Sequence, residues 1–334
     1  MAGEGAVRIA GETAGTLPAP LAGAGQGAGA HVTILMATCN GAAYLAAQLD
    51  SIAAQSHANW SLRIGDDGST DATRAIIAAF RRRHPERAIE LVEGPRSGAA
   101  ANFLALLQRG APPRGHVAFS DQDDIWLPHK LRRALQRIAA HPPGRPVLYG
   151  SRTIIADHRG RDRRTSRRHP RPLGFANALV QNVIAGNTAV LNPAAVELMR
   201  RARAPAEVPF HDWWLYLMVS AAGGTVLLDE RPGLLYRQHA GNMLGASIGP
   251  RDKLERLRRL ASSEIARWNR AHIGALEANR ALLTPAAARQ LAVFSATHRA
   301  RGLPALWRLA GTPVYRQSGA ELLALYWAAL HGRF

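Results

Sequence analysis

The chain has 334 residues, of which 47% are hydrophobic, and a formal net charge of +18. This length suits one large domain or two ordinary ones, and no apolar run reaches the ~18 residues that a membrane-spanning helix needs. The single cysteine, Cys39, excludes an internal disulfide and gives no sign of an oxidising compartment. The composition therefore indicates a soluble globular protein whose excess of arginine points to an anionic partner: nucleic acid, anionic lipid or a phosphorylated substrate.

The positive charge is concentrated in two segments. Positions 251–334 hold 14 basic and 5 acidic residues, and positions 159–171 hold seven arginines and one aspartate. A biased genome composition would spread arginine evenly, so this concentration favours a functional basic surface. Positions 1–30 are rich in Ala and Gly and lack the basic start and apolar block of a secretory signal, so they predict a flexible tail.

In the first half of the chain, apolar strand patterns alternate with helical spacing. The predicted strands are 31–38, 60–64, 88–92 and 117–119, and the predicted helices are 44–55, 72–83 and 99–108, the second capped by Thr70 or Asp71. Short connections favour right-handed βαβ units and an open parallel sheet. Ligands of such sheets bind at the carboxyl ends of strands. Three polar segments fall there: Thr38–Gly41, Asp66–Asp71 and Asp121–Asp124.

The second half is less regular. Its predicted strands are 147–155, broken near Gly150, then 189–191, 225–228 and 234–236, and helical patterns begin at Pro193, at His211 and at Arg251. Positions 159–172 are too charged for a core and predict an exposed loop. The last apolar stretch, 322–330, predicts either a helix in a membrane interface or a helix packed on the domain.

The acidic segment follows a short buried-strand pattern and holds three carboxylates in four residues, Asp121, Asp123 and Asp124. Their mutual repulsion raises pKa values, and a divalent cation relieves it. Ligand sets made only of oxygen suit Mg²⁺ or Mn²⁺, which usually share their site with substrate phosphates. The alternative is that Asp123 or Asp124 caps a helix that begins near Pro128. The segment alone supports both interpretations equally.

The segment Asp66–Asp71 lies where a strand turns into a helix. A carboxylate there can accept hydrogen bonds from the N3–H of a pyrimidine or from ribose hydroxyls, but a capped turn explains the same residues and is favoured when the segment is taken alone. The sequence has neither G-x-x-x-x-G-K-[ST] nor G-x-G-x-x-G after the first strand. These absences argue against P-loop and dinucleotide-binding proteins.

Taken together, Thr-Cys-Asn-Gly at 38–41, Asp-Asp-Gly-Ser-Thr-Asp at 66–71 and Ser-Asp-Gln-Asp-Asp at 120–124 resemble glycosyltransferase family 2. The form Ser-Asp-Gln-Asp-Asp-Ile-Trp, with His-Asp-Trp-Trp at 211–214 and Tyr-Arg-Gln-His at 236–239, looks like the rhamnosyltransferase-type subgroup that builds bacterial surface polysaccharides. The resemblance covers roughly positions 32–245. Cys39 replaces the more usual Tyr, and His211-Asp212 replaces the Glu-Asp of many relatives. The processive Gln-x-x-Arg-Trp motif is absent, which predicts one sugar per binding event.

The resemblance implies an α/β fold of the GT-A (Rossmann-like) type: a mostly parallel sheet flanked by helices, with a helical C-terminal extension. The expected division is a flexible tail at 1–30, a GT-A domain at 31–245 and a basic helical region at 246–334. Within the domain, 31–125 would form the nucleotide-binding half and 126–245 the acceptor-binding half.

The resemblance also implies roles for individual residues. Asp212 would be the catalytic base that deprotonates the acceptor hydroxyl in a single displacement with inversion. Asp123 would be the main ligand of Mg²⁺ or Mn²⁺, with Asp121 and His239 as further ligands. The expected contacts of the nucleotide sugar are Thr38, Asn40, Asp66, Asp67, Asp121 and Arg237.

The implied activity is metal-dependent transfer of one sugar to a glycan or lipid-linked glycan acceptor in cell-surface polysaccharide synthesis. The subgroup points to dTDP-rhamnose, with UDP- and GDP-sugars as alternative donors. The expected location is the cytoplasm, with peripheral contact to the anionic inner face of the plasma membrane.

Two other classes of function remain as alternatives. A nucleic-acid-binding protein would explain the net charge of +18. However, the charge lies outside the βαβ half and no zinc, helix-turn-helix or RNA-recognition signature is present, so no nucleic-acid partner is expected. Another metal-dependent nucleotidyl- or phosphoryl-transfer enzyme would share the carboxylates but would not need Asp212.

Overall fold

The first half of the chain forms a parallel βαβ layer. The computed structural model describes residues 29–109, 113, 115–204, 209–239 and 263–334. Its first strands are β1 (Val32–Thr38), β2 (Trp60–Asp66), β3 (Ile89–Glu93) and β4 (His116–Ser120), joined through helices α1 (Leu45–Ala53), α2 (Thr73–Arg83) and α3 (Ala99–Gln108). Every residue of β1 is buried, because β1 lies between β2 and β4 and pairs with both in parallel. This central position explains its continuous apolar run.

The second half completes the sheet. Its elements are β5 (Ile125–Trp126), α4 (Lys130–Ala139), β6 (Val147–Ser151), β7 (Ile154–Asp157), β8 (Arg164–Thr165), α5 (Phe175–Ala178), β9 (Val190–Leu191), α6 (Pro193–Arg201), α7 (His211–Ala221), β10 (Thr225–Asp229) and β11 (Leu234–Gln238). The seven-stranded sheet has the order β10-β6-β9-β4-β1-β2-β3, in which β9 runs antiparallel to both neighbours. A second sheet has the order β5-β11-β7-β8. The predicted mostly parallel α/β fold is confirmed.

Four helices follow: α8 (Ser263–Ala278), α9 (Pro285–His298), α10 (Leu303–Ala310) and α11 (Gly319–Leu330). Leu276, Leu291, Leu309 and Leu325 belong to the same buried cluster as Trp214 of α7, so these helices pack on the sheet domain. The helical C-terminal extension is thereby confirmed over this range. None of the described helices combines the length and the apolar character needed to cross a bilayer.

Some expectations fall outside the described residues, and one stays untested. The predicted tail at 1–30 lies almost entirely outside them, as does the beginning of the helical pattern at Arg251. The division into 31–125, 126–245 and 246–334 stays a prediction.

The two predicted helix caps have different outcomes. Helix α4 begins at Lys130 after His129, and no side chain caps it, so neither Asp123 nor Asp124 is its cap. The strand β5 separates these two aspartates from the helix, which removes the capping explanation of the acidic segment. Helix α2 begins at Thr73, and Ala72 stands at its cap position. The Asp71 carboxylate nevertheless accepts from the Thr73 amide at 3.0 Å, so Asp71 satisfies the first amide of the helix.

Two segments of the second half differ in detail from the predictions. The break predicted near Gly150 is present at 152–153, between β6 and β7. Gly150 itself lies inside β6, where an ideal Cβ would lie 3.0 Å from the Ile184 side chain, so the glycine allows close packing. The predicted loop at 159–172 contains β8, which pairs antiparallel with β7. It is also held by an ion pair between Arg167 and Glu321 of α11, with Nη1 and Oε1 2.7 Å apart. A distant carboxylate therefore orders a segment whose composition predicts a loop.

Candidate active site

The polar loops after β1, β2 and β4 meet at one edge of the sheet. The Asn40 backbone has φ +49°, and its Oδ1 accepts from the Thr70 amide at 2.9 Å. The Gln122 side chain pairs with the Cys39 backbone in both directions: Oε1 accepts from the amide at 2.9 Å, and Nε2 donates to the carbonyl at 3.1 Å. Thr38 is buried at the end of β1. The three loops are thus joined by hydrogen bonds at the carboxyl ends of neighbouring parallel strands.

The acidic turn brings together the carboxylates of Asp121, Asp123 and Asp124, each of which offers an oxygen within 4.8 Å of the others. Burial raises the pKa of Asp121 to about 7, and the charges of Asp123 and Asp212 add to this effect. Burial, with the charges of Asp121 and Asp123, raises the pKa of Asp124 well above its ordinary value. A hard divalent cation fits this set, because it accepts oxygen ligands and relieves the repulsion.

The end of β11 braces the acidic turn. His239 Nε2 lies 2.9 Å from Asp123 Oδ2, and the His239 ring stacks on Tyr44 with centroids 4.4 Å apart. The buried Arg237 guanidinium donates to the carbonyls of Asp123 at 2.6 Å, Tyr44 at 3.1 Å and Asp124 at 3.3 Å. Arg237 therefore supports the backbone of the turn, while its expected diphosphate contact stays a prediction.

The carboxylates of Asp66 and Asp67 both accept hydrogen bonds from other residues of the chain. Asp66 is fully buried, and its Oδ2 accepts from Arg74 Nε at 2.6 Å. The two oxygens of Asp67 accept from the amides of Arg96 at 2.7 Å and Gly98 at 2.9 Å. These bonds order the loops at the end of β2 and before α3. The expected nucleotide contacts of both residues stay predictions.

Asp212 is held at the beginning of α7. Its Oδ2 accepts from the Gly186 amide at 2.9 Å and its Oδ1 from the Trp213 amide at 2.7 Å, and Asn182 adds a side-chain hydrogen bond. Burial nevertheless raises the pKa of Asp212 to about 6, because desolvation outweighs these bonds. The neighbouring His211 packs its ring against Phe103 at 4.2 Å, and burial lowers its pKa to about 3. Asp212 is thus a fixed carboxylate of raised basicity.

A cavity of about 410 Å³ joins the acidic turn to α7. Asp121, Asp123 and Asp212 all line it, together with apolar and hydroxyl-bearing side chains that include Phe210, Tyr236, Thr153 and Ser166. The structure therefore brings the predicted metal carboxylates and the predicted base to one cavity. Five predicted donor contacts, Thr38, Asn40, Asp66, Asp67 and Arg237, do not line it, nor does His239.

Residues 33–196 match the family model described as glycosyl transferase family 2. The chain carries a family 2 glycosyltransferase domain. It is 28% identical over 230 residues to the dTDP-rhamnosyl transferase RfbG of Shigella flexneri, a match that covers 66% of this chain and 78% of that protein. It is 30% identical over 124 residues to an Escherichia coli enzyme, WfgD, named a UDP-Glc:alpha-D-GlcNAc-diphosphoundecaprenol beta-1,3-glucosyltransferase; this match covers 37% of the chain and 46% of WfgD.

The fold of this glycosyltransferase is similar to that of TarS (residues 1–349) from S. aureus, solved in complex with UDP-GlcNAc. The TM-score is 0.51 at 16% identity, and the match covers 80% of both chains. The resemblance noted from the three motifs is therefore confirmed at the level of family and GT-A fold.

Several residues that shape the site carried no recognised signal in the sequence. Asn187 donates from Nδ2 to Asp124 Oδ2 at 2.7 Å, although 63 positions separate them. Lys130 is buried with Nζ 3.2 Å from the centroid of the Trp126 ring, and burial lowers its pKa well below the ordinary value. Lysine is rarely buried, so nothing in the local sequence indicates this position of its side chain.

Gly186 of this glycosyltransferase allows the approach of His211. An ideal Cβ at position 186 would lie 2.6 Å from both Cε1 and Nε2 of that ring. We expect Gly186→Ala to lower the free energy of unfolding by about 1–3 kcal/mol, because the packed ring has no room to move. The matched control is Gly274→Ala in α8, where an added Cβ meets nothing within 4 Å. Urea unfolding checks both variants, and equal stability of the two would contradict the packing explanation.

Proposed function

We propose that this glycosyltransferase moves one sugar from a nucleoside diphosphate sugar to a hydroxyl group of a lipid-linked glycan. The transfer inverts the configuration at the anomeric carbon. The observation that carries the proposal is the shared cavity, which is lined by Asp121, Asp123 and Asp212. A cation site for the donor diphosphate beside a carboxylate of raised pKa is what direct displacement at an anomeric carbon requires.

Asp212 is proposed as the general base. Its carboxylate takes the proton of the acceptor hydroxyl as the acceptor oxygen bonds to the anomeric carbon, while the bond from that carbon to the diphosphate oxygen breaks. A pKa of about 6 leaves the carboxylate largely ionised at neutral pH and more basic than an ordinary aspartate. The amides of Gly186 and Trp213 hold both oxygens in place, so the base is oriented before the acceptor arrives.

Asp121 and Asp123 would hold the divalent cation, Mg²⁺ or Mn²⁺, and His239 is proposed as a further ligand. When bound, the cation supplies Lewis-acid stabilisation of the departing diphosphate. The chain prepares this position: Asn187 fixes the neighbouring Asp124, and Arg237 holds the backbone of the turn through its carbonyls. Asp123 is oriented by His239.

The donor nucleotide is proposed to bind at the loops after β1 and β2, through Thr38, Asn40, Asp66 and Asp67. Support comes from their place at the carboxyl ends of strands, where ligands of open α/β sheets bind. Arg237 stays a proposed contact of the diphosphate. The proposed donor is dTDP-rhamnose, because the S. flexneri relative is named as a dTDP-rhamnosyl transferase.

The acceptor is proposed to be a lipid-linked glycan, because the E. coli relative is named for an acceptor linked to diphosphoundecaprenol. With such an acceptor, the reaction is proposed to take place at the cytoplasmic face of the membrane. The family match favours glycosyl transfer over nucleotidyl or phosphoryl transfer and over nucleic-acid binding. The released product distinguishes the enzyme classes: glycosyl transfer releases a nucleoside diphosphate, whereas nucleotidyl transfer releases a nucleoside monophosphate with pyrophosphate.

The test is the thermal stability of the protein with a panel of nucleotide sugars, each with and without Mn²⁺ or Mg²⁺. A ligand at about 100 times its Kd stabilises the folded state by about 2.7 kcal/mol, which shifts the melting temperature measurably. We expect a metal-dependent shift with dTDP-rhamnose. A shift with only a UDP- or GDP-sugar would replace the donor and keep the enzyme class. Full shifts in EDTA would contradict metal dependence.

A further inference from the structure

The large apolar side chains that are exposed in the described part of the chain all lie on the last three helices. They are Val293, Leu303, Trp307, Leu323, Trp327 and Leu330. Leu303 and Trp307 are 63% and 78% exposed and stand four residues apart on α10. Leu323, Trp327 and Leu330 recur on α11 with the spacing of one helical face. Each helix thus buries one side and shows an apolar stripe on another.

The exposed charged side chains near the two apolar stripes are all positive. Gly332, just after α11, lies beside the Arg301 side chain, which brings the end of α11 next to the beginning of α10. Arg301, Arg308 and Arg333 are exposed. The single acidic residue between positions 299 and 334 is Glu321, which is buried. The exposed charge of this region is therefore positive only.

We propose that the α10–α11 face, formed by Leu303, Trp307, Leu323, Trp327 and Leu330 with the arginines around it, docks on an anionic membrane surface. Tryptophan prefers the interface between headgroups and acyl chains, and each arginine near an anionic surface adds a favourable contribution. A second copy of the chain fits less well, because a symmetric contact would bring the same arginines together.

The α10–α11 face is connected to the cavity through one buried carboxylate. Glu321 of α11 accepts from Arg167 Nη1 at 2.7 Å and from Gln181 Nε2 at 2.9 Å. Arg167 directly follows Ser166, which lines the cavity. Docking would therefore hold the part of the cavity that Ser166 lines near the membrane, where a lipid-linked acceptor resides; this consequence rests on the proposed function, whereas the docking itself does not.

The test is sedimentation of the full-length protein with vesicles of phosphatidylcholine alone or mixed with phosphatidylglycerol. We expect binding to the anionic vesicles that weakens with salt. Trp307→Ala combined with Trp327→Ala should lower the partition coefficient by at least about tenfold, because two apolar side chains no longer enter the interface. Arg301→Gln combined with Arg308→Gln should lower it by about tenfold, on anionic vesicles only.

The matched control is Arg81→Gln combined with Arg82→Gln on α2, which removes the same charge from two exposed positions elsewhere. We expect it to bind as the wild type does. Because the altered tryptophans are exposed, the variants should keep the wild-type melting temperature and donor-induced shift. Loss of binding only in the control, or no binding of the wild type to anionic vesicles, would overturn docking without touching the proposed function. So would a wild-type dimer in light scattering that Trp307→Ala dissociates, since a second copy would then occupy the face.

Discussion

Asp212→Asn is expected to lower kcat by about 10²–10⁴-fold while donor binding remains, because the amide cannot accept the acceptor proton. Asparagine keeps the size of the side chain, and its Oδ1 can still accept from the amide of Trp213 or Gly186. The measurement is initial-rate kinetics beside the donor-induced thermal shift. Asp50→Asn is the matched control, because Asp50 is an exposed partner of Arg83, 2.9 Å away on the surface. Wild-type turnover by Asp212→Asn would exclude it as the base.

The pH dependence of the wild type provides a second readout of the same residue. The base acts as a carboxylate, so kcat/KM should fall when acid protonates it. Burial raises the pKa of Asp212 to about 6, which moves this loss upward from the ordinary aspartate range. A cation at Asp121 and Asp123 favours the ionised form and places the loss at pH 6 or below. In Asp212→Asn the contribution of Asp212 to this acidic limb should disappear, which leaves the contribution of Asp121, whose pKa burial also raises.

Asp123→Asn is expected to remove the metal-dependent part of donor binding and to lower kcat by at least about 100-fold. The reason is that a Lewis-acid cation stabilises the leaving group by several kcal/mol and each 1.36 kcal/mol is tenfold in rate. Calorimetric titration with Mn²⁺ measures the loss of metal affinity directly. Activity that recovers at high Mn²⁺ concentration would show that the other ligands persist.

The stability of Asp123→Asn without metal distinguishes a ligand from a structural residue. Asp123 adds to the repulsion that raises the pKa values of Asp121 and Asp124. Removing its charge should therefore leave the melting temperature in EDTA unchanged or raise it. Asp66→Asn is the contrast, because Asp66 is buried against Arg74 and its neutralisation should destabilise the protein. A large drop in the melting temperature of Asp123→Asn in EDTA would make its role structural.

The sequence predicted the sheet because its evidence is local. The apolar run of β1 and the short connections to β2 and β4 require only neighbouring positions to be compared, and the structure has these strands adjacent and parallel. The same topology predicts that the loops after these strands meet. The hydrogen bonds between the Gln122 side chain and the Cys39 backbone show that the loops after β4 and β1 do meet.

Local patterns were insufficient where a distant partner sets the outcome. Composition predicts an exposed loop at 159–172, but β7 and the Glu321 carboxylate order it. Taken alone, the acidic segment fits a helix cap and a metal site equally well, and only the structure shows that β5 separates Asp123 and Asp124 from α4. Burial, which raises the pKa values of Asp121 and Asp212, depends on every element around the cavity and leaves no mark at a single position.

Asp212 illustrates the difference between what the sequence determines and what only the tertiary structure determines. Its position at the head of an apolar helix is readable from the chain, since helical periodicity and an acidic first turn are properties of consecutive residues. Its orientation by the Gly186 amide and its place on the same cavity as Asp121 depend on contacts across 26 and 91 positions. Side-chain chemistry and spacing are written in the sequence, whereas desolvation and the convergence of charges arise only when distant segments pack together.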